Sequence, residues 1–115
     1  MNSRKLRALL VVCVLAMTVI ATQAFADNRL QGAWLWEGPD HAGLLINGNN
    51  FVWIWVDGTT YVGTVSVSGN RATFTTGQFL DINDIWHNHQ ETWNYNFSFQ
   101  TNNRLVINNW IYLRS

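Results

Sequence analysis

Two histidines and a glutamate stand at alternate positions late in the chain, at His87, His89 and Glu91. Alternate residues of an extended strand point to the same face, so a strand through these positions would direct both imidazoles and the carboxylate one way. Two imidazoles and a carboxylate are a ligand set that Zn²⁺ and Fe²⁺ use. The spacing is not diagnostic, and solvated loop histidines are the simpler interpretation. We therefore predict neither a bound metal nor another cofactor.

Residues suited to covalent or acid–base catalysis are few. No serine stands in a Gly-x-Ser-x-Gly turn, and the single cysteine, Cys13, lies in an N-terminal apolar run. Asp81 with Asp84, or Glu91 with either, could form a carboxylate pair, but nothing in the sequence sets their separation. We predict that the chain is not an enzyme.

Aromatic side chains are the second group of candidate functional residues, and all 7 Trp lie after residue 33. Large rings that carry a hydroxyl or an indole N–H would form a cup for a small hydrophobic or amphipathic molecule if they faced a cavity. We predict that such a cup is lined by Trp53, Trp55, Tyr61, Trp93 and Tyr95. Two alternatives remain open: simple core packing, and an outward stripe that binds a sugar ring or a protein.

The aromatic residues lie in segments with the patterns of β-strands. Trp93 to Gln100 alternates aromatic and polar side chains, which gives one dry face and one wet face. Phe51 to Ser68 contains two β-rich runs joined at Asp57-Gly58, a strong hairpin signal because glycine takes the positive φ of a tight turn. Phe51 to Val56 is apolar on both faces. Its second face is either covered, by residues 77–90 or another chain, or exposed for binding.

Turn signals rich in Gly, Asn and Asp recur at intervals of about eight to twelve residues, which is the spacing of a sandwich or barrel. They delimit about eight strands with short connections, and short connections make neighbouring strands antiparallel. Residues 77–90 have no clean period and suggest a long loop or a short helical turn. We predict an all-β fold, a small antiparallel up-and-down barrel, because closure removes exposed edges. An open or two-layer sandwich is the alternative.

Residues 1–26 have the features of a helical signal peptide that precedes the folded domain. Three basic residues precede an unbroken apolar run from Ala8 to Met17, and Ala24-Phe25-Ala26 is a small-x-small cleavage signal. We predict cleavage before Asp27, a secreted or periplasmic location and no stable membrane anchor; an uncleaved anchor is the alternative. The domain is then residues 27–115, which contain no cysteine and hence no disulfide.

The predicted domain is poor in positive charge. It contains four arginines and no lysine against seven Asp and Glu, a net charge of −3 with histidine neutral. Such a chain cannot neutralise many phosphates, so we exclude nucleic acids and anionic membrane surfaces as partners. A small molecule, a second copy of the chain or another protein remains as a partner.

The predicted domain opens with Leu30-Gln31-Gly32-Ala33-Trp34, whose Gly-x-Trp resembles the signature that opens lipocalins and their relatives, the calycins. In that family the Trp plugs the closed end of the barrel, and an Arg near the end of the last strand packs across it. Arg114 stands where that Arg would be expected. The match is most similar to the short, secreted lipocalin-like barrels of bacteria. It implies an exported, non-enzymatic binding module.

A second stretch, Ser66-Val67-Ser68-Gly69-Asn70-Arg71, resembles the Ser-x-Ser-Gly-x-Arg loop of small periplasmic inhibitors of C-type lysozyme. This resemblance implies the alternative function, a protein-interaction or inhibitor barrel that acts through loops or an exposed apolar face. Those inhibitor barrels normally carry cysteines, which the predicted domain lacks.

Overall fold

The computed structural model describes residues 28–38 and 41–115, with only the backbone of Asn28. The predicted signal peptide, Cys13, Pro39 and Asp40 lie outside the described residues. Within the described part, no helix is long and apolar enough to span a membrane.

The described residues form one closed antiparallel barrel. After a short 3-10 helix, Asn28–Leu30, the strands are β1 Gly32–Trp36, β2 Gly43–Asn47, β3 Asn50–Ile54, β4 Thr60–Ser68, β5 Arg71–Leu80, β6 Trp86–Thr101, β7 Arg104–Ile107 and β8 Trp110–Arg114. Each strand pairs with the next, and β8 pairs with β1 through Trp34↔Arg114 and Trp36↔Tyr112. The predicted all-β barrel is confirmed, and the sandwich alternative is wrong.

The alternating pattern of β6 is confirmed. The odd-numbered aromatic residues from Trp93 to Phe99 pack into the core, whereas the polar residues between them are exposed. One face of the strand therefore contributes to the dry interior, as a barrel wall requires.

The prediction of a loop or helical turn for residues 77–90 is wrong. Most of this segment extends β5 and β6, and only residues 81–85 form the turn. The Asp81 carboxylate closes that turn by accepting the backbone N–H groups of Asn83 at 2.8 Å and Ile85 at 3.0 Å. The pairing register shifts between Thr76 and Gln78. Such a bulge moves the alternation by one residue, which hides the strand period in the sequence.

The hairpin at Asp57-Gly58 is present, but its loop is longer than a two-residue turn. β3 ends at Ile54, the Trp55 N–H donates to Thr59 O at 2.9 Å, and Gly58 has φ 91°. These features match a three-residue loop with a left-handed glycine. Before the loop, Trp53 faces the interior, and Val52 on the opposite face is also buried. The second face of β3 is therefore covered at Val52 and offers no exposed apolar surface there.

Trp53 occupies the centre of the core, where it is only 2% exposed. Its indole N–H donates to the Tyr112 hydroxyl at 3.0 Å. The rings around it belong to Phe51, Trp55, Phe74, Trp93, Tyr95, Trp110 and Tyr112, with centroid separations of 4.7 Å to Phe74 and up to 6.5 Å to Trp55. Aromatic packing of this density compensates for the absence of disulfides in a small domain.

Trp34 and Arg114 close one end of the barrel. Trp34 is buried, and its indole N–H donates to Leu30 O at 2.9 Å. The Arg114 guanidinium carbon lies 4.2 Å from the centroid of the Trp34 ring. The Arg114 N–H groups donate to Gln31 O at 2.8 Å and to Arg29 O at 2.9 Å. The contact that the lipocalin resemblance implies is therefore present.

We expect Arg114→Ala to lower the free energy of unfolding by about 2 kcal/mol, because carbonyl groups lose charged donors and the Trp34 ring loses its cover. Urea unfolding followed by circular dichroism measures this change. Arg71→Ala is the matched control, because Arg71 is exposed at the same end of the barrel. Equal losses in the two variants would contradict a stabilising role for the Arg114 contacts.

Candidate ligand-binding site

A cavity of about 220 Å³ lies at the end of the barrel opposite Trp34 and Arg114, which we call the open end. Its wall consists entirely of aromatic and aliphatic residues: Trp36, Ala42, Trp53, Ile54, Trp55, Val56, Trp110 and Tyr112. A concave apolar wall with a few polar tips is typical of small-molecule sites.

Barrel closure brings the two ends of the chain together at this cavity. Trp36, at the end of β1, pairs with Tyr112 on β8, and alternation places Trp110 on the same face as Tyr112. From the middle of the chain, Trp53 on β3 and Trp55 in the following loop complete the aromatic wall. The site therefore depends on the β1–β8 pairing.

The structure brings the five predicted site residues together, but in two different positions. Trp53 and Trp55 line the cavity. Tyr61, Trp93 and Tyr95 are half-buried and do not line it; ring centroids lie 4.9 Å apart for Tyr61 and Trp93 and 5.7 Å apart for Trp55 and Tyr61. Whether any of these residues contacts a ligand stays a prediction.

Three aromatic residues of the cavity wall were not among the predicted site residues, namely Trp36, Trp110 and Tyr112. Their signals were present in the sequence. Trp36 is two residues from Trp34 and so lies on the same face of β1. Trp110 and Tyr112 are likewise two residues apart in the last strand. Assigning them to the site additionally required the closing pair of strands, which residue types alone do not specify.

Trp55 carries an unusual feature for a wall residue. Its indole nitrogen is buried, and within the described residues it has no hydrogen-bond partner. The ring lies close to Tyr61, Trp93 and Trp110, whose π faces accept only weak hydrogen bonds. A buried donor without an acceptor costs about 1–3 kcal/mol.

His87 and His89 do not converge on one point but pair with different carboxylates. His87 Nε2 lies 2.7 Å from Asp81 Oδ2, and His89 Nε2 lies 2.8 Å from Glu91 Oε2. In the part of the chain that the structure describes, no three His, Cys, Asp or Glu side chains are grouped to hold a metal ion. The geometry gives the metal hypothesis no support.

These contacts also act on the carboxylates. The hydrogen bond from His87 holds the pKa of Asp81 below its usual value, with help from the Ile85 N–H. The Trp93 indole N–H donates to Glu91 Oε1 at 2.8 Å and, together with His89, lowers the pKa of Glu91. Both groups therefore carry negative charge at neutral pH.

The three tyrosines of the chain share one electrostatic property. Burial raises the pKa of Tyr61, Tyr95 and Tyr112 above 10.0, the value of an unperturbed tyrosine. The charges of Asp57 and Glu91 raise the pKa of Tyr61 further. The hydrogen bond from Trp53 opposes part of the effect at Tyr112. The folded barrel thus favours the neutral, protonated form of all three tyrosine side chains.

We expect stability to be retained up to about pH 10 and lost as the pH rises through the folded-state pKa values, because a raised pKa means that the unfolded chain ionises first. Absorbance at 295 nm, recorded with urea unfolding at each pH, measures this. No other tyrosine contributes to the signal. The expectation fails if folded and urea-unfolded protein form tyrosinate with the same midpoint.

Comparisons with protein-family models, curated proteins and solved structures gave no match. The fold and the site therefore define the class by themselves: a small, closed, eight-stranded antiparallel β-barrel with an aromatic interior and an apolar cavity at one end.

Proposed function

We propose that this chain is an exported, non-enzymatic binding module that holds a small hydrophobic or amphipathic molecule in the cavity at the open end. The cavity itself carries the proposal, since about 220 Å³ of space is walled by four indoles and Tyr112. An engineered protein cavity of about 150 Å³ binds benzene. The larger space here suits a ring with a short alkyl substituent.

The proposal includes a lipocalin-like character for the barrel and export of the chain. The up-and-down strand order, the Gly32-Ala33-Trp34 signature and the Arg114 contact with Trp34 support the first. The basic start, the apolar run and the cleavage signal in residues 1–26 support the second. A secreted or periplasmic location follows if that leader is functional.

Binding of tert-butylbenzene tests the cavity. For a ligand of about ten non-hydrogen atoms, at roughly 0.5 kcal/mol each, we expect a dissociation constant of about 0.2 mM. The full chain, expressed with its leader and purified without denaturant, is titrated while the indole proton resonances are followed. Native mass spectrometry of the same sample reports any molecule already bound.

Ala42→Leu is the informative variant, because Ala42 is buried in the cavity wall and a larger side chain there takes up the space. We expect it to weaken binding by at least about tenfold. Ala33→Leu is the matched control, since Ala33 does not line the cavity. Val56→Trp, at an exposed wall position, repeats the test without altering a buried residue. Unchanged binding in both cavity variants, or no binding by the parent chain, would refute the proposal.

A second candidate, a protein-interaction or inhibitor barrel, is favoured by the tip of the β5–β6 hairpin. Ile82, Ile85 and Trp86 are 48%, 56% and 40% exposed there. Clustered exposed apolar residues are typical of interaction surfaces. The lysozyme-inhibitor-like loop Ser66 to Arg71 forms the β4–β5 turn at the opposite end. A complex or dimer abolished by Ile85→Ser would favour the tip, and C-type lysozyme inhibition abolished by Arg71→Ala would favour the loop.

A further inference from the structure

The charged side chains of the barrel are divided between its two ends. Arg29, Arg71 and Arg114 lie at the closed end, and Arg104 extends from that end to pair with Glu37 at 3.0 Å. The turns at the open end carry Asp57, Asp81 and Asp84, and Glu91 lies within β6. Within residues 28–38 and 41–115, no lysine or arginine lies on an open-end turn. Because Glu37 at the end of β1 pairs with Arg104, the charge that remains at the open end is negative.

This negative charge acts on the aromatic lining. Asp57 directly follows Val56, a residue of the cavity wall. The Tyr61 ring lies 5.7 Å from the Trp55 ring, and its pKa is raised first by burial and then by the charges of Asp57 and Glu91. The Asp57 carboxylate is thus the charge placed next to the cavity wall.

The wall itself contains no charged side chain. A charged group buried deep in the cavity would lose its hydration without gaining a partner, which is unfavourable. A charge at the mouth keeps water and faces the carboxylates. The π faces of indoles attract cations more strongly than those of other aromatic side chains, and they repel anions. Both the lining and the rim therefore discriminate between the two signs of charge.

We infer that the cavity ligand is a small amphipathic cation, with an aryl or alkyl body inside the cavity and an ammonium group at the mouth near Asp57. This inference rests on the proposed function and adds the chemical class of the ligand. The cavity forms the site, and the carboxylates select among the molecules that fit it.

Three probes of nearly equal shape and different charge test the inference: phenyltrimethylammonium, tert-butylbenzene and benzenesulfonate. They are titrated into the full chain at about pH 8, where an unperturbed histidine is neutral. We expect the cation to bind at least about tenfold more tightly than the sulfonate. Raising the salt concentration from about 0.02 to 0.5 M should weaken only the cation, because salt screens exposed charges.

Asp57→Asn tests the source of the preference. The amide oxygen can still accept the Thr59 N–H that Asp57 Oδ1 binds at 2.8 Å, so the turn is preserved. We expect about threefold weaker binding of phenyltrimethylammonium and unchanged binding of tert-butylbenzene. Arg71→Gln changes the net charge by one unit at the closed end and should change neither affinity.

The outcomes separate this inference from the proposed function. If tert-butylbenzene binds while the cation and the sulfonate bind equally, or if Asp57→Asn does not weaken the cation, the charge inference is overturned and the cavity proposal stands. If none of the three probes binds, both are overturned. A cation preference that Asp57→Asn reduces and Arg71→Gln leaves unchanged supports both.

Discussion

Replacing Trp53 with alanine should lower the free energy of unfolding by about 4 kcal/mol, a large share of the 5–15 kcal/mol typical of a domain. The ring is buried among other aromatic rings, so its removal enlarges the cavity and leaves space that rigid neighbours fill poorly. The change also removes the donor that binds the buried Tyr112 hydroxyl. Urea unfolding followed by circular dichroism and by Trp fluorescence measures the loss.

Trp86→Ala is the control for this prediction, because Trp86 is 40% exposed on the β5–β6 hairpin. We expect its effect to lie within about 0.5 kcal/mol. Similar losses of unfolding free energy in the two variants would contradict the prediction that the buried Trp53 ring stabilises the fold more than an exposed ring does. Because Trp53 supports the whole barrel, ligand experiments are better based on Ala42 and Val56, which can be enlarged without removing a ring.

Replacing Gly63 with alanine should cost about 3 kcal/mol, although only one methyl group is added. A Cβ atom at Gly63 would overlap with the carbonyl oxygen of Thr75 and would lie 2.9 Å from Thr76 Cα. Both are backbone atoms of the paired strand β5, so they cannot yield by rotation of a side chain. The β4–β5 pairing, whose register already shifts between Val62 and Gly63, would have to open.

Gly77→Ala is the matched control, since a Cβ atom there would meet nothing within 4 Å. We expect a change of less than about 0.5 kcal/mol. Thermal and urea unfolding of both variants give the comparison. The prediction fails if Gly63→Ala unfolds at the same urea concentration as Gly77→Ala.

The barrel could be predicted from the sequence because its strongest signals are local. The alternation of Trp93 to Gln100 and the regular turn residues determine which side chains face inward and how neighbouring strands connect. The bulge near Gly77 could not be predicted. Its effect is to break the alternation from which strands are predicted, so residues 77–90 show no strand period.

The cavity was predictable only in part. Parity identifies Trp53 and Trp55 as a pair on one face, but it does not indicate which inward side chains leave space between them. That space arises where Trp36 meets Tyr112, residues far apart in sequence that only barrel closure brings together. Likewise, the division of charge between the two ends appears only once the turns are assigned to ends.

Pairing of β8 with β1 also determines when the molecule can fold. Until β8 has formed, β1 and β7 each lack one neighbour, and the Trp34 ring lacks its guanidinium cover. Contacts that join the two ends of a chain form slowly, because the whole loop between them must close. The folding barrel therefore stays open between β1 and β7 until β8 pairs with both, and Arg114 completes that closure by covering Trp34.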